Sequence, residues 1–333
     1  MPRVVYTTER SLVHQQRALS AAPPELSITM LYQPAPQTLY AALQDAEYLI
    51  SERVGVVDEQ LFASAPYLKL VVRVGSFYHD IDLHAARAAG VTVCRHPDAG
   101  THAVAEHCIL QMLVLTRKLR QVEQAALVPD PRWGEPRQTD ENVFAYNWSG
   151  QRGLGRVEGR TVGILGMGEI GAEVARRLSG WGCSILYHKR RRLPESVERE
   201  LNITYVDSEG LLAESDYLVS LLPYLPETVN YLNQDRINRL RSGAFVLSCG
   251  SGGTFDEAAL ARAFQDGRLA GVAVDSHTWE PLRADDPLLA LARAGANVLL
   301  TPHIAAGTEF DRGGEYSNIL RHLQGEPLLY RLT

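Results

Sequence analysis

Cysteine is scarce in this chain, and the placement of the few that occur excludes more than their number. Cys94, Cys108, Cys183 and Cys249 lie far apart, with no C-x-x-C pair to hold a metal or form a redox disulfide. No metal site is expected. Long apolar runs are missing too: the most apolar helical stretch, CILQMLVLT (108–116), is too short to span a bilayer and is followed by Arg117 and Lys118. The opening MPRVVYTTER has no apolar signal core and no cleavage-like site. Basic residues are not in excess. The net charge of −6 argues against a general affinity for nucleic acid or for an anionic membrane surface. Short-period repeats and low-complexity tracts are absent. These absences lead to the expectation of a reduced, cytoplasmic protein whose partners are small molecules. Its 333 residues are enough for two domains, each burying its own core.

What is present is a regular alternation. RVVYT, SITML, EYLIS, LKLVVRVG and VTVCR read as strands, with helix-forming stretches such as DEQLFASA and DLHAARAAG between them. That pattern signals βαβ units and a parallel sheet. Residues 101–127 read as one long helix, opened by Thr101 and broken by Pro129. The segment from 128 to 155 is irregular, rich in Pro and Gly, and carries Trp133, Phe144, Tyr146 and Trp148. Aromatics in a loop of that length favour packing against a partner, and a second subunit is the preferred one. Alternation restarts at RTVGILG and runs through SILYH, NITYV, YLVSLLP, AFVLSC, GVAVDS and NVLLTPH. The fold class expected is α/β, with two doubly wound parallel-sheet domains of the Rossmann or flavodoxin type.

VGILGMGEIG sets Gly166, Gly168 and Gly171 as G-x-G-x-x-G between a strand and a helix. The first glycine permits a tight turn, the second lets a pyrophosphate approach, and the third lets helix and strand pack closely. A bare structural turn is the alternative, and the strand–turn–helix setting favours a dinucleotide. An NAD site would place an acidic residue at the end of the next strand. SILYH instead ends in His188, Lys189, Arg190, Arg191 and Arg192, which suits a ribose 2′-phosphate and hence NADP. A solvated basic loop and a nucleic-acid patch are the competing readings of that run. Further on, FVLSCGSGGTFDEAAL (245–260) reads as a buried strand, a glycine knot and a helix capped by Asp256. Its end offers only Ser248, Cys249, Ser251 and Thr254 to a ligand.

Several pieces share one order and spacing: RVGSFYHDIDLHAARAAGVTVCRHPDAGTHAVAEH, LLPYLPETVNYLN, GRLAGVAVDSHTWEP and NVLLTPHIAAGT. In this the chain resembles the D-isomer specific 2-hydroxyacid dehydrogenase family over nearly its whole length. The basic YHKRRR looks most like its NADPH-preferring glyoxylate and hydroxypyruvate reductases, and VGILGMGEIG…GWG…YH is similar to its phosphite dehydrogenase branch. The resemblance implies a substrate-binding domain from residues 1–103 and 304–333 and an NADP-binding domain from 104–303. Ligands would bind in a cleft, in a homodimer held by the 128–155 arm. Glu280 and His303 match the acid/base pair: His303 would give a proton to the substrate carbonyl, and Glu280 would orient the ring and favour its protonated form. Gly166, Met167, Gly168, Glu169, Ile170 and Gly171 match the pyrophosphate turn, and His188, Lys189, Arg190 and Arg191 the adenosine ribose. Val104, Leu222, Pro223, Thr228, Cys249, Gly250 and Asp275 match other cofactor contacts, with His303 shared between cofactor and substrate.

Two positions depart from the family. Ser251 stands where an arginine clamps the substrate carboxylate, and the substrate loop, usually glycine-x-glycine, is Gly75, Ser76, Phe77. Losing a two-pronged charged contact of that kind costs about 3–5 kcal/mol of transition-state stabilisation. Arg73 and Arg95 read as structural residues, and they are the cations that could reach the cleft in its place. Cys249 reads as a small buried residue beside the cofactor, and His79, His96 and His277 as local hydrogen-bonding groups. Two functions follow: an NADP-dependent oxidoreductase acting on a 2-oxoacid or related carbonyl compound, or a non-catalytic NADP(H)-binding sensor or scaffold.

Overall fold

The computed structural model describes residues 1–52, 55–97, 99–128, 130–307 and 312–333. The chain forms two compact units, one of Met1–His102 with Ala306–Thr333 and one of Ala103–Ala305.

In the first unit, β1 (Arg3–Thr8), β2 (Ser27–Tyr32), β3 (Tyr48–Glu52), β4 (Leu70–Val74) and β5 (Thr92–His96) form a parallel sheet in the order β2-β1-β3-β4-β5. Every residue of β3 and β4 is buried. Strands covered on both faces read as near-continuous apolar runs, as Tyr48–Ile50 and Leu70–Val72 do here, with Ser51, Glu52 and Arg73 buried toward their carboxyl ends. One core gathers Val5, Leu49, Val71 and Val93; the other gathers Tyr6, Ile50, Val72 and Cys94, so alternate residues serve opposite faces. Tyr316 and Ile319, far along the chain, complete the second core. Beside them lies a buried polar knot. Arg312 donates to Glu52 Oε1 at 3.0 Å, to the Tyr6 hydroxyl at 2.9 Å and to Glu315 Oε1 at 2.6 Å, and Tyr6 donates to Glu315. Burial pushes the Glu315 carboxyl up to about 7, against the pull of Arg312.

The second unit holds β6 (Thr161–Leu165), β7 (Ser184–His188), β8 (Thr204–Tyr205), β9 (Tyr217–Ser220), β10 (Ala244–Ser248), β11 (Leu269–Val274) and β12 (Val298–Leu300). They pair in parallel in the order β12-β11-β10-β9-β6-β7-β8. The chain winds one way from β6 to β8 and the other way from β9 to β12. The reversal between β6 and β9 is the switch point at which such sheets take ligands at their carboxyl ends. The two doubly wound sheets expected from the sequence are thus both present.

One expectation fails. Residues 101–127 are two helices, Ala99–Thr116 and Leu119–Leu127, with Lys118 in the left-handed region at φ 48° between them. The physical cause is a competing partner for the first helix end: the Gly155 N–H donates to the Thr116 carbonyl at 3.0 Å, and Lys118 Nζ donates to the Arg152 carbonyl at 3.0 Å. The chain leaving the 130–155 arm therefore caps the helix. Pro129, expected to break the helix, lies outside the described residues. Within the arm, Trp133 and Trp148 meet edge to face at 4.8 Å between centroids, while Phe144 and Tyr146 are 71% and 89% exposed.

Candidate active site

The switch point carries the glycine motif. β6 ends at Leu165, and Gly166 turns at φ 90° so close to β9 that an added Cβ would stand 2.9 Å from the Leu221 carbonyl oxygen. A Cβ on Gly171 would meet Met167 Sδ at 2.7 Å and Ile164 at 3.1 Å, so this glycine serves helix–strand packing. At Gly168 a Cβ would meet nothing within 4 Å. Bare backbone facing open space at the N-cap of the helix Glu169–Leu178 is what a pyrophosphate requires. The turn therefore fits a dinucleotide. Met167 is buried beneath it, and Val104 is buried on the helix Ala99–Thr116.

The basic run after β7 divides into two parts. Arg192 is bound by Glu198, with Nε–Oε1 at 2.8 Å and Nη2–Oε2 at 2.6 Å, and Glu198 also accepts from the Tyr187 hydroxyl at 2.6 Å. His188 bonds the Val206 carbonyl at 3.0 Å and lies against Tyr205. Arg190 and Arg191 are exposed, Arg190 at 4.0 Å from Glu227. Lys189 is half-buried; burial lowers its ammonium below the usual lysine range, and the nearby Glu169 charge opposes that. Thr228 folds its own loop, donating to the Pro223 carbonyl at 2.5 Å and accepting from the Leu225 N–H at 2.8 Å. Leu222, buried at the end of β9, receives the Ser251 N–H on its carbonyl at 2.9 Å.

At the end of β10 the chain threads between its neighbours. A Cβ on Gly250 would lie 2.7 Å from the Leu222 backbone, and one on Gly252 would drive into the His277 carbonyl oxygen. Only glycine lets the strand end approach both. Asp256 then caps the helix Glu257–Gln265, accepting from the Ala259 N–H at 2.9 Å. The resulting cleft, about 760 Å³, is lined by Cys249, Gly250, Ser251, Tyr224, Asn230, Phe255, Glu257, Thr278, Glu280 and His303, among others. Among the described residues, no Lys or Arg lines it. Cys249 is buried, donating to Gln111 Oε1 at 3.3 Å; its hydrogen bond with Cys108, and then burial, push the thiol far up, which suits packing and not nucleophilic work.

His303 and Glu280 face one another in this cleft, Nδ1 to Oε2 at 2.9 Å, with both side chains solvent-accessible. The His277 N–H holds the other carboxylate oxygen at 3.0 Å. Burial alone would raise the Glu280 carboxyl, but the bonds from His303 and from His277 carry it below its ordinary value. His303 adopts a left-handed φ of 54°. Its N–H reaches the Asp275 carbonyl at 2.9 Å, and the N–H groups of Ile304 and Ala305 reach the Asp275 carboxylate at 3.0 and 2.9 Å. Asp275 is fully buried and also accepts from the Thr301 hydroxyl at 2.6 Å. It is an anchor for the His303 turn. Two residues not singled out in the sequence join it: His107, whose Nε2 is 3.1 Å from Thr301 Oγ1, and Thr301 itself. No spacing signals a contact 194 positions apart.

In the first unit, Gly75 takes φ 127° and donates to the His96 carbonyl at 2.7 Å; Ser76 and Phe77 are buried, with Phe77 edge-on to His79. Arg73 is buried against Asp80, with Nε–Oδ2 at 2.8 Å, and Arg95 lies over the Tyr330 ring at 5.3 Å.

Residues 110–305 match the family model described as D-isomer specific 2-hydroxyacid dehydrogenase, NAD binding domain. The chain is 31% identical over 315 residues to a glyoxylate reductase of Korarchaeum cryptofilum, covering 93% of this chain and 88% of that protein. It is 34% identical over 283 residues to a glyoxylate reductase of Aeropyrum pernix, covering 84% and 80%. A solved glyoxylate reductase from Paecilomyes thermophila superposes with a TM-score of 0.55 at 26% identity, over 100% of this chain and 99% of that one. With the dinucleotide turn at the switch point and the matching extent of these relatives, the chain belongs to the D-isomer specific 2-hydroxyacid dehydrogenase family.

Proposed function

We propose that this chain is an NADP(H)-dependent reductase of a 2-oxoacid or related carbonyl compound, with His303 and Glu280 as its acid/base pair. The observation that carries the reading is the 2.9 Å bond between His303 Nδ1 and Glu280 Oε2 in a cleft at the strand ends. With Nδ1 committed to Glu280, the proton passes from Nε2 to the carbonyl oxygen. The anchored carboxylate keeps the ring in one orientation throughout. A bound nicotinamide supplies hydride to the carbonyl carbon. The turn from Gly166 to Gly171 holds the pyrophosphate, and Lys189, Arg190 and Arg191 meet the 2′-phosphate, with His188 at their base. Val104, Leu222, Pro223, Thr228, Cys249, Gly250 and Asp275 complete the cofactor's surroundings. Ser251 takes the place of the substrate-clamping arginine, and Gly75, Ser76 and Phe77 contact substrate. The exposed Phe144, Tyr146 and Trp148 of the arm support a homodimer.

The test combines calorimetric titration with NADPH and NADH and steady-state NADPH oxidation across a panel of 2-oxoacids and aldehydes. Tighter NADPH binding and turnover of at least one carbonyl compound are expected. A second reading, a non-catalytic NADP(H)-binding protein, is favoured by Ser251 and by the absence of Lys and Arg among the described residues of the cleft. Tight NADPH binding with no turnover across the panel selects it.

A further inference from the structure

The acid/base reading leaves a buried polar chain beneath His303 without a role. The Thr301 hydroxyl has a single proton, and at 2.6 Å it goes to the Asp275 carboxylate. The 3.1 Å bond to His107 therefore runs the other way, from Nε2–H to Thr301 Oγ1, which fixes the donor nitrogen of that buried ring. Thr301 is held at a second point, because its carbonyl accepts from His277 Nε2 at 2.9 Å. The backbone N–H of the same His277 donates to Glu280 Oε1. Two branches thus leave Thr301. One runs through Asp275 to the backbone of His303, Ile304 and Ala305; the other runs through His277 to Glu280.

We propose that His107 and Thr301 are positioning residues for the acid/base pair, which they brace from both sides. The inference rests on the reading of His303 and Glu280 as that pair. A left-handed turn at a residue other than glycine is strained and persists only where its surroundings over-determine it. At His303 the surroundings are successive N–H groups converging on Asp275. Removing the Thr301 hydroxyl takes one donor from a buried carboxylate and leaves His107 Nε2 only its longer approach to Asp275 Oδ1, at 3.6 Å. The turn then relaxes, and the His303 ring loses its register with Glu280.

Thr301→Val removes the hydroxyl at nearly constant volume, and Thr301→Ser restores it. His107→Leu and His107→Gln make the same comparison from the other end and carry it if the valine variant does not fold. Three readouts are taken: NADPH affinity, kcat with its pH profile, and the side-chain ¹⁵N resonances of His303, assigned with His303→Gln. The resonances report which ring nitrogen carries the proton and need no substrate. In the valine and leucine variants kcat should fall about ten- to hundredfold, as slight misplacement of a reacting group does. Its pH profile should shift, and the His303 resonances should move toward a mixture of tautomers. NADPH affinity should stay within about threefold, and the serine and glutamine variants should recover most of the loss. Unchanged resonances and kcat in the valine and leucine variants would overturn the proposal. So would a parallel loss of NADPH affinity that serine does not rescue, since that marks a merely structural role. If the unmodified protein reduces no carbonyl compound, the reductase reading falls, and the resonances alone decide whether Thr301 and His107 set the pair.

Discussion

Ser251 sits on the floor of the cleft with a backbone fixed by Leu222 and flanked by glycines that admit no side chain. An uncharged hydroxyl there offers one weak hydrogen bond to a substrate carboxylate, so small 2-oxoacids such as glyoxylate should be poor substrates. Ser251→Arg should raise kcat/KM for glyoxylate at least tenfold, a change of about 1.4 kcal/mol in the barrier. NADPH binding by both forms serves as the folding control, and a variant that binds normally yet gains nothing refutes the assignment. At the proposed acid/base pair, His303→Ala and Glu280→Gln should each lower kcat by about two to four decades while NADPH affinity holds. Full turnover in the alanine variant would mean that the proton comes from another group. The roles proposed for Glu280, His303 and Ser251 come from a resemblance of motifs and not from any local property of the sequence. Each alone is an ordinary polar residue near a turn. His107 and Thr301 were not legible, because their partnership exists only once β12 and the helix Ala99–Thr116 lie side by side in the second unit.

At the scale of elements, the end of β7 shows how a charge run divides. The sequence presents five cationic or ionisable side chains in a row, yet Arg192 is committed to Glu198 on the following helix and His188 to Val206. Lys189 and Arg190 are the better targets for testing cofactor choice. Lys189→Glu with Arg190→Ala should move the preference toward NADH by at least about tenfold, read as the ratio of the two dissociation constants. Retained NADPH preference would assign the 2′-phosphate to other groups. The inner strands β1, β3, β4, β6 and β9 were legible because parallel strands buried on both faces give near-continuous apolar runs. The break at Lys118 was not, because it depends on Gly155 returning to cap Thr116 across a long irregular segment. Periodicity cannot report a competitor that lies beyond the window it samples.

At the scale of the molecule, the buried knot of Arg312, Glu52, Tyr6 and Glu315 links stability to pH. The folded-state value of Glu315, about 7, lies above its ordinary 4.5. Its contribution is therefore fully present below about pH 4.5 and is lost as pH rises through 7. Glu52 runs the other way and at more acid pH: its value is lowered, so its contribution is present above about pH 4.5 and is lost as pH falls below that. The measurement is thus a difference: the urea midpoint of the unmodified protein should fall more between pH 5.5 and pH 8 than that of Glu315→Gln. Equal slopes would show that Glu315 is ionised across the range. The same knot bears on how the chain is made. The second unit is continuous, from Ala103 to Ala305, whereas the first closes its core only with Tyr316 and Ile319. The later-starting unit holds all of its own core, while the segment that begins the chain lacks Tyr316 and Ile319 until the last residues are made. A chain ended after residue 305 and released from the ribosome should therefore hold the second unit resistant to protease while the first unit is cut, so that the unit begun first in the genetic message is the last to close.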